Sequence, residues 1–138
     1  MIQIVAGKKG VGKTKCILDK ANKAITETDG TIVYLDKSAQ HMYELNSRVR
    51  LINITDYPVN SYDAFIGFVA GIISQDFDLT ELYFDSFLKI SKADESKMDE
   101  VLDTLKKLSD EHDITFILSI SLDASEIPEN AKQYIINA

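Results

Sequence analysis

The sequence predicts a three-layer α/β/α domain with a mainly parallel central sheet. Strand-like and helical segments alternate along the 138 residues, and this order is typical of parallel strands that are joined by helices. The strand-like segments are apolar throughout rather than alternating in polarity, which indicates strands that are buried on both faces. With right-handed crossovers, we expect a functional site at the carboxyl ends of the strands.

The composition is that of one globular domain spanning residues 1–138. Hydrophobic residues make up 45% and charged residues 27% of the chain, and both values are ordinary. No apolar run is long enough to cross a bilayer, and the N-terminus does not resemble a secretory signal, so no membrane partner is expected. The single cysteine, Cys16, excludes an internal disulfide, which fits a reducing, cytoplasmic location.

The charge distribution favours a small anionic ligand over nucleic acid. The formal net charge is −7, and an acidic protein repels a polyanion such as DNA. Lysine nevertheless clusters near the N-terminus, at Lys8, Lys9, Lys13 and Lys15. The cluster focuses positive potential on one short stretch, so a nucleotide is a better candidate partner than an extended nucleic-acid backbone.

The first half of the chain contains three strand-like segments and two helical ones. Residues 2–6 predict the first strand, and the apolar spacing that follows predicts a helix ending near Gly30. Residues 31–35 predict a second strand, which is β-branched at its start. Residues 38–45 are expected to form a short helix, and residues 49–54 a third strand.

The second half continues the alternation. A helix is expected from a cap at Asn60 or Ser61 to about residue 75. The remaining segments, in chain order, are a strand at residues 79–84, an amphipathic helix at 94–111, a strand at 114–118 and a short last strand at 134–136.

The helix that begins near residue 61 has a face of small residues. Ala64, Gly67 and Gly71 share one side of it, and each helix-interior glycine lowers helix stability by about 1 kcal/mol. We expect close packing of this face against the sheet to compensate. A surface for a partner protein is the alternative.

The stretch from Gly7 to Thr14 is Gly-Lys-Lys-Gly-Val-Gly-Lys-Thr and fits the phosphate-binding pattern G-x-x-x-x-G-K-S/T. Its glycines allow positive φ angles and a close approach of the backbone to phosphate, so that successive N–H groups point at the anion. The helix that follows directs the positive end of its dipole to the same place. The predicted nucleotide-binding residues are Gly7, Lys8, Lys9, Gly10, Val11, Gly12, Lys13, Thr14 and Lys15.

Thr14 and Asp85 are the predicted ligands of Mg²⁺. The Thr14 hydroxyl is a hard oxygen ligand of the kind that Mg²⁺ prefers. Asp85 ends the apolar segment Leu82-Tyr-Phe-Asp85, which has the form of a Walker B element, whose aspartate holds Mg²⁺. An aspartate that only begins the turn at Ser86 is the alternative. The expected cofactors are ATP, or alternatively GTP, together with Mg²⁺.

The order of these elements resembles the RecA-like branch of P-loop NTPases, in which one strand separates the loop strand from the Walker B strand. The resemblance covers most of the chain, and the loop is its one specific motif. It implies a RecA-like strand order. It also implies a water-activating glutamate, either beside the Walker B aspartate or at the end of the second strand, where this sequence has Ser86 and Asp36.

Asp36 and Ser119 are the candidates for catalytic roles under this resemblance. Asp36 would replace the missing glutamate as a base or water-positioning group, the alternative being an ordinary aspartate at a strand end. Ser119, with Ser121 on the same side, matches by position the polar residue after the fourth strand that senses the γ-phosphate in this branch.

The loop is also similar to the deviant Walker A loop of MinD/ParA-type ATPases, K-G-G-x-G-K-S/T, whose first lysine contacts the partner's phosphate across a dimer. Lys8 matches that lysine, but Lys9 replaces the following glycine; the alternative is that both are solvated charges. Only Arg48 and Arg50 are available as arginine fingers, unless a partner supplies one. His41 and His112 lack zinc-type spacing and are expected to face solvent or end a helix.

The chain as a whole resembles a family of small bacterial ATP-binding proteins, some of them labelled as relatives of the twitching-motility (pilus-retraction) ATPases, although the motifs of those motors are absent. We expect an ATP- and Mg²⁺-binding protein that hydrolyses ATP weakly or only with a partner, and that acts as a nucleotide-dependent switch. One alternative is an active ATPase or small kinase completed by oligomerisation or by a protein partner. The other is a scaffold whose loop holds a structural anion.

Overall fold

The computed structural model describes residues 1–137 and contains a five-stranded sheet in which all neighbouring strands are parallel. The strands are β1 (Ile2–Ala6), β2 (Thr31–Asp36), β3 (Arg50–Asn53), β4 (Leu79–Phe84) and β5 (Thr115–Ile120). The helices are α1 (Lys13–Ala24), α2 (Tyr62–Gln75), α3 (Phe87–Ser91) and α4 (Met98–His112). The strand order is β1-β5-β4-β2-β3, so β5 lies between β1 and β4.

Helices cover both faces of this sheet. Successive residues of a strand point to opposite faces, and the two faces here belong to two separate hydrophobic clusters. Tyr34 of β2 packs in the cluster that contains Ile17 of α1. Its neighbour Leu35 packs in the cluster that contains Phe65 of α2 and Leu105 of α4. The architecture is therefore α/β with a parallel sheet, as predicted, and is consistent with three layers.

Most of the predicted elements are confirmed, but α1 ends at Ala24 rather than near Gly30, which does not have the positive φ of a helix-terminating glycine. The strand expected at residues 49–54 is shorter, and the helix expected from residue 94 begins at Met98 after one 3₁₀ turn at Glu95–Lys97. Ser61 is the residue that caps α2, because its hydroxyl oxygen accepts a hydrogen bond from the Ala64 amide at 3.1 Å. In the part of the chain that is described, no helix has both the length and the hydropathy of a bilayer span.

The prediction of a short helix at residues 38–45 is wrong. The segment forms successive turns, in which amides bond to carbonyls three residues earlier, for example the Glu44 amide to the His41 carbonyl at 2.9 Å. Met42 and Tyr43 are exposed, so a helix here would have no apolar face to bury. The side-chain amide of Asn22 in α1 also donates a hydrogen bond to the Glu44 carbonyl at 2.8 Å, which holds the segment in its irregular conformation.

The prediction of a last strand at residues 134–136 is also wrong, although the segment does lie beside β1. Residues Glu129–Tyr134 form a 3₁₀ helix, and a single parallel bridge joins Ile135 to Ile4. The side chain of Asn137 then bonds to both backbone groups of Ala6, at 3.0 and 2.7 Å. These contacts satisfy the free edge of β1 next to the loop, so a further strand is not needed there.

The expected packing of the small-residue face of α2 is wrong as well. Gly67 and Gly71 are exposed, and a Cβ added at either would have no atom within 4 Å. The helix buries Phe65, Val69 and its neighbours instead. At 100° per residue both glycines lie roughly opposite that buried face, so the small-residue face points outward, and the alternative of a surface for a partner protein stays a prediction.

Candidate functional site

The loop of residues 7–12 joins β1 to α1 in a conformation that depends on glycine. Gly12 precedes the first helical residue with φ 83° and ψ 24°, the left-handed region that glycine adopts without strain. At Gly7, an added Cβ would lie 2.4 Å from Cγ2 of Val11. The Gly7 amide is held by the Leu122 carbonyl at 2.8 Å. The loop therefore lies at the N-terminal end of α1, where Gly12 is the residue before the helix.

Lys13 lies folded over this loop. It is buried, and its Nζ donates a hydrogen bond to the carbonyl oxygen of Lys8 at 3.1 Å. Burial lowers the pKa of Lys13, while the negative charge of Asp85 opposes that shift. An ammonium group held only by a backbone carbonyl can exchange that partner for a stronger anionic acceptor.

Asp85 connects three elements at the carboxyl ends of the strands. Its Oδ1 accepts hydrogen bonds from the Thr14 hydroxyl at 3.2 Å and from the Ser119 hydroxyl at 3.0 Å. Its Oδ2 accepts one from the Tyr34 hydroxyl at 2.9 Å, and burial followed by the Asp85 charge raises the pKa of Tyr34. Ser119 also accepts a hydrogen bond from the Ser86 amide at 2.8 Å. Thr14 and Ser119, which were predicted separately, thus meet at the carboxylate of Asp85.

Asp36 lies beside Asp85 but is less completely paired. Its Oδ1 accepts a hydrogen bond from the Lys37 amide at 2.7 Å, whereas its Oδ2 is buried without a hydrogen-bond partner. Burial raises the pKa of Asp36, and the charge of Asp85 raises it further. A ring nitrogen of His41 and oxygens of the two aspartates all lie within 4.8 Å of one another.

A cavity of about 420 Å³ opens between the loop and the ends of β4 and β5. Five of the predicted loop residues line it, namely Lys9, Gly10, Gly12, Lys13 and Thr14, together with Asp85, Ser119 and Ser121. Gly7, Lys8, Val11 and Lys15 are not among its lining residues, and Lys15 instead pairs with Asp19 at 3.2 Å. Asp36 is buried and is not among the residues that line this cavity.

Sequence reasoning missed two cations that also line the cavity, Lys37 and Lys89. The pKa of Lys89 is lowered chiefly by the neighbouring Lys37, and further by Lys9, so three ammonium groups lie near one another. Lys37 directly follows Asp36, and Lys89 lies in the short helix after Asp85. Their places just after two strand ends were the signal that could have identified them. Among the residues described, neither Arg48 nor Arg50 lines this cavity.

His41 was also assigned wrongly, because its side chain is only 20% exposed and lies next to the two aspartates rather than facing solvent. The signal for His41 was weak, since the turn that contains it was expected to be helical.

Neither a scan against protein-family models nor a search of curated proteins found a match to this chain.

Proposed function

We propose that this protein is a RecA-like P-loop protein that binds a nucleoside triphosphate, by default ATP, together with Mg²⁺, and that it acts as a nucleotide-dependent switch with slow hydrolysis. The observation that carries the proposal is the convergence of Lys13, Thr14 and Asp85 on one cavity next to a glycine loop. This combination places an anion-binding backbone, a mobile cation and metal-binding oxygens within the same small volume.

The charge of the cavity supports a polyphosphate ligand. Lys9, Lys13, Lys37 and Lys89 line it, against one carboxylate, Asp85. Over residues 1–137, none of these four lysines forms a salt bridge. The N-terminus of the 12-residue helix α1 adds a partial positive charge at the same place. A ligand with several negative charges would satisfy this arrangement.

The residues also fit a magnesium ion. The Thr14 hydroxyl oxygen and Asp85 Oδ1 lie 3.2 Å apart, and two neighbouring ligands of an octahedral Mg²⁺ are separated by about 3 Å when each bond is about 2.1 Å. A bound Mg²⁺ would neutralise phosphate charge, and Thr14 and Asp85 are the residues that would hold it.

The position of β5 supports the RecA-like assignment and a role for Ser119. β5 separates β1, which leads into the loop, from β4, which ends at Asp85, as in the RecA-like branch. Ser119 at its end contacts both Asp85 and the Ser86 amide. If a bound ligand moved Asp85, the hydrogen bonds of Ser119 to Asp85 and to the Ser86 amide would change. A switch requires such a structural change on ligand binding.

The proposal of slow hydrolysis is supported by the residues that surround Asp85. Ser86 follows it, and β2 ends in Asp36 rather than in glutamate. Asp36 is 2% exposed and does not line the cavity, so its carboxylate has no direct route to a water molecule there. General-base catalysis requires such contact.

The alternative function is an active ATPase or small kinase completed by a second copy or a partner. It is favoured by Lys37 and Lys89, which line the cavity and would stabilise the charge of a transferring phosphate, so that a second copy or a partner need supply only the water-activating group. A phosphate-release assay decides between the two functions. Turnover that rises with protein concentration and is lost in Lys89→Ala would support the enzyme and contradict the switch.

Nucleotide binding itself is tested by calorimetric titration of ATP with Mg²⁺ into wild type and Lys13→Ala. A charge-assisted hydrogen bond contributes about 1.5–3 kcal/mol, so we expect the variant to bind about 10- to 150-fold more weakly. Lys23→Ala removes the same charge from the exposed end of α1 and should bind like wild type. Absence of saturable binding at millimolar ATP, or equal binding by Lys13→Ala, would refute the proposal.

A further inference from the structure

The carboxyl ends of β2 and β4 place two buried carboxylates next to each other. Leu35 pairs with Phe84 in the sheet, so the residues that follow, Asp36 and Asp85, lie side by side, and each is 2% exposed. Within residues 1–137 neither aspartate has a salt-bridge partner. Two like charges in a buried site require a nearby cation or a proton.

The hydrogen bonds leave one oxygen of this pair unpartnered. Asp85 accepts three hydrogen bonds over its two oxygens, from Thr14, Ser119 and Tyr34. Asp36 Oδ2, in contrast, is buried and has no partner, while its Oδ1 accepts from the Lys37 amide. Buried polar atoms are rarely left in this state, and Asp36 belongs to the same cluster as His41 and Asp85.

His41 supplies a third ligand that is already oriented by a carboxylate. Its Nδ1 lies 3.1 Å from Glu44 Oε2, and a ring N–H that donates to that carboxylate leaves Nε2 with its lone pair free. A carboxylate behind the imidazole is the usual support of a metal-binding histidine, because it fixes the tautomer and the ring orientation. The neighbour of Nε2 is the amide of Gln40, at 3.0 Å, whose exposed side chain can rotate away.

We propose that Asp36, His41 and Asp85 form a binding site for a transition-metal divalent cation of the Mn²⁺ or Zn²⁺ type, independent of nucleotide. One ligand atom from each residue lies within 4.8 Å of the others. Ligands of one tetrahedral ion with bonds of about 2.0–2.2 Å lie roughly 3.3–3.6 Å apart, so side-chain shifts of about 1 Å close the site. An imidazole nitrogen favours these metals over Mg²⁺ and Ca²⁺.

The site has an entry path and open coordination positions. His41 and its partner Glu44 line a cavity of about 490 Å³ that also reaches Thr14, through which an ion can approach the imidazole. Three protein ligands leave at least one position for water or another oxygen ligand. The inference goes beyond the proposed function, since it requires no nucleotide, but the two sites share Asp85.

The experiment is calorimetric titration of Zn²⁺, and separately of Mn²⁺, into chelator-treated protein without nucleotide. We expect one saturable equivalent in wild type. Removing the carboxylate that hydrogen-bonds to a metal-binding histidine lowers metal affinity about 10- to 100-fold, so Glu44→Gln should bind about 10-fold more weakly and His41→Ala more weakly still. His112→Ala, which removes the exposed histidine at the end of α4, should bind within two-fold of wild type.

Visible absorption of added Co²⁺ provides a second readout, in which His41→Ala should lose the ligand-field bands of wild type. The inference is overturned if wild type shows no stoichiometric binding, which would mean that a proton relieves the Asp36–Asp85 pair, or if His41→Ala binds as well as wild type. Far-UV circular dichroism of each variant confirms that a loss of binding is not a loss of fold. ATP binding without Zn²⁺ or Mn²⁺ binding would remove only this inference, and the reverse result only the proposed function.

Discussion

The substitution Asp36→Asn should stabilise the protein when all divalent cations have been removed. Asp36 and Asp85 are both buried, and their nearest ligand oxygens lie within 4.8 Å of each other. Asparagine has nearly the same shape, and its carbonyl oxygen can still accept the hydrogen bond from the Lys37 amide. It removes one negative charge and adds an N–H donor beside Asp85. The sign of the effect therefore differs from that of most buried substitutions, which destabilise a protein.

The magnitude follows from the separation of the charges. Two unit charges 4.8 Å apart repel by about 3 kcal/mol at an effective dielectric constant of about 20. The positive charges of Lys37, which acts on Asp36, and of Lys13, which acts on Asp85, offset part of this repulsion. We therefore expect the free energy of unfolding to rise by about 1–2 kcal/mol at pH 8, relative to the wild type.

The gain should depend on pH in one direction. Burial, and then Asp85, raise the pKa of Asp36 in the folded protein, so the folded state binds the proton more tightly than the unfolded state. The stability that this group confers is complete below its ordinary pKa and is lost as pH rises through the raised pKa. The advantage of Asp36→Asn should accordingly be small in acid and grow towards alkaline pH.

The assay is urea unfolding in excess chelator, read by circular dichroism. With a slope of about 2 kcal/mol/M, the expected gain moves the midpoint up by roughly 0.5–1 M. Asp29→Asn is the matched control, because Asp29 is exposed in the turn after α1, and surface changes of this kind stay within about 0.5 kcal/mol. A midpoint for Asp36→Asn below that of wild type would refute the electrostatic reasoning.

Addition of metal should then reverse the order of the two proteins. An ion that binds only the folded state stabilises it by about 2.7 kcal/mol at a concentration of 100 times Kd. Wild type should gain this amount with Zn²⁺, and Asp36→Asn should gain little, because it lacks one of the three proposed ligands. An equal gain in both proteins would show that Asp36 does not bind the ion.

Three further predictions concern stability and ionisation elsewhere. Gly67→Ala should raise the free energy of unfolding by about 0.5–1 kcal/mol in urea unfolding, since the added methyl group meets open space on a helix; a loss would contradict the exposed position. Gly30→Ala should lower the free energy of unfolding by about 1–3 kcal/mol in the same assay, because its Cβ would lie 2.5 Å from the Asp78 carbonyl oxygen. An unchanged midpoint would contradict that contact. Hydrogen bonds from the Ser125 hydroxyl and amide lower the pKa of Asp123, so an NMR titration should show a higher pKa for this carboxyl group in Ser125→Ala than in wild type.

The strands and helices that could be predicted from the sequence are those whose own pattern of apolar residues shows which side is buried. The apolar strands and the 3.6-residue periodicity of α1 and α4 depend on which residues face a core, and each run shows this locally. Residues 38–45 and 134–136 were misassigned because their course depends on partners that are distant in sequence. Asn22 holds the first segment at the Glu44 carbonyl, and Asn137 bonds to the edge of β1 beside the second.

The small-residue face of α2 shows a different limit. The spacing of Gly67 and Gly71 correctly placed them on one side of the helix, but periodicity states only which residues share a face. It does not state which face meets the sheet when both sides carry apolar or small residues. Phe65 and Val69 decided that question, because burying large side chains stabilises far more than burying glycine.

Local sequence patterns were sufficient to predict a glycine-rich loop before α1 and polar side chains at the ends of the apolar strands β2, β4 and β5. Both are local properties, because a glycine loop is defined by its own backbone and a strand end by the next residue. Which of these side chains contact one another depends on the tertiary structure. The strand order placed Asp36, Asp85 and Ser119 at one edge, and the turns after β2 brought His41 to the two aspartates. Contacts between residues so far apart in the chain depend on the packing of the whole sheet, which no local pattern encodes.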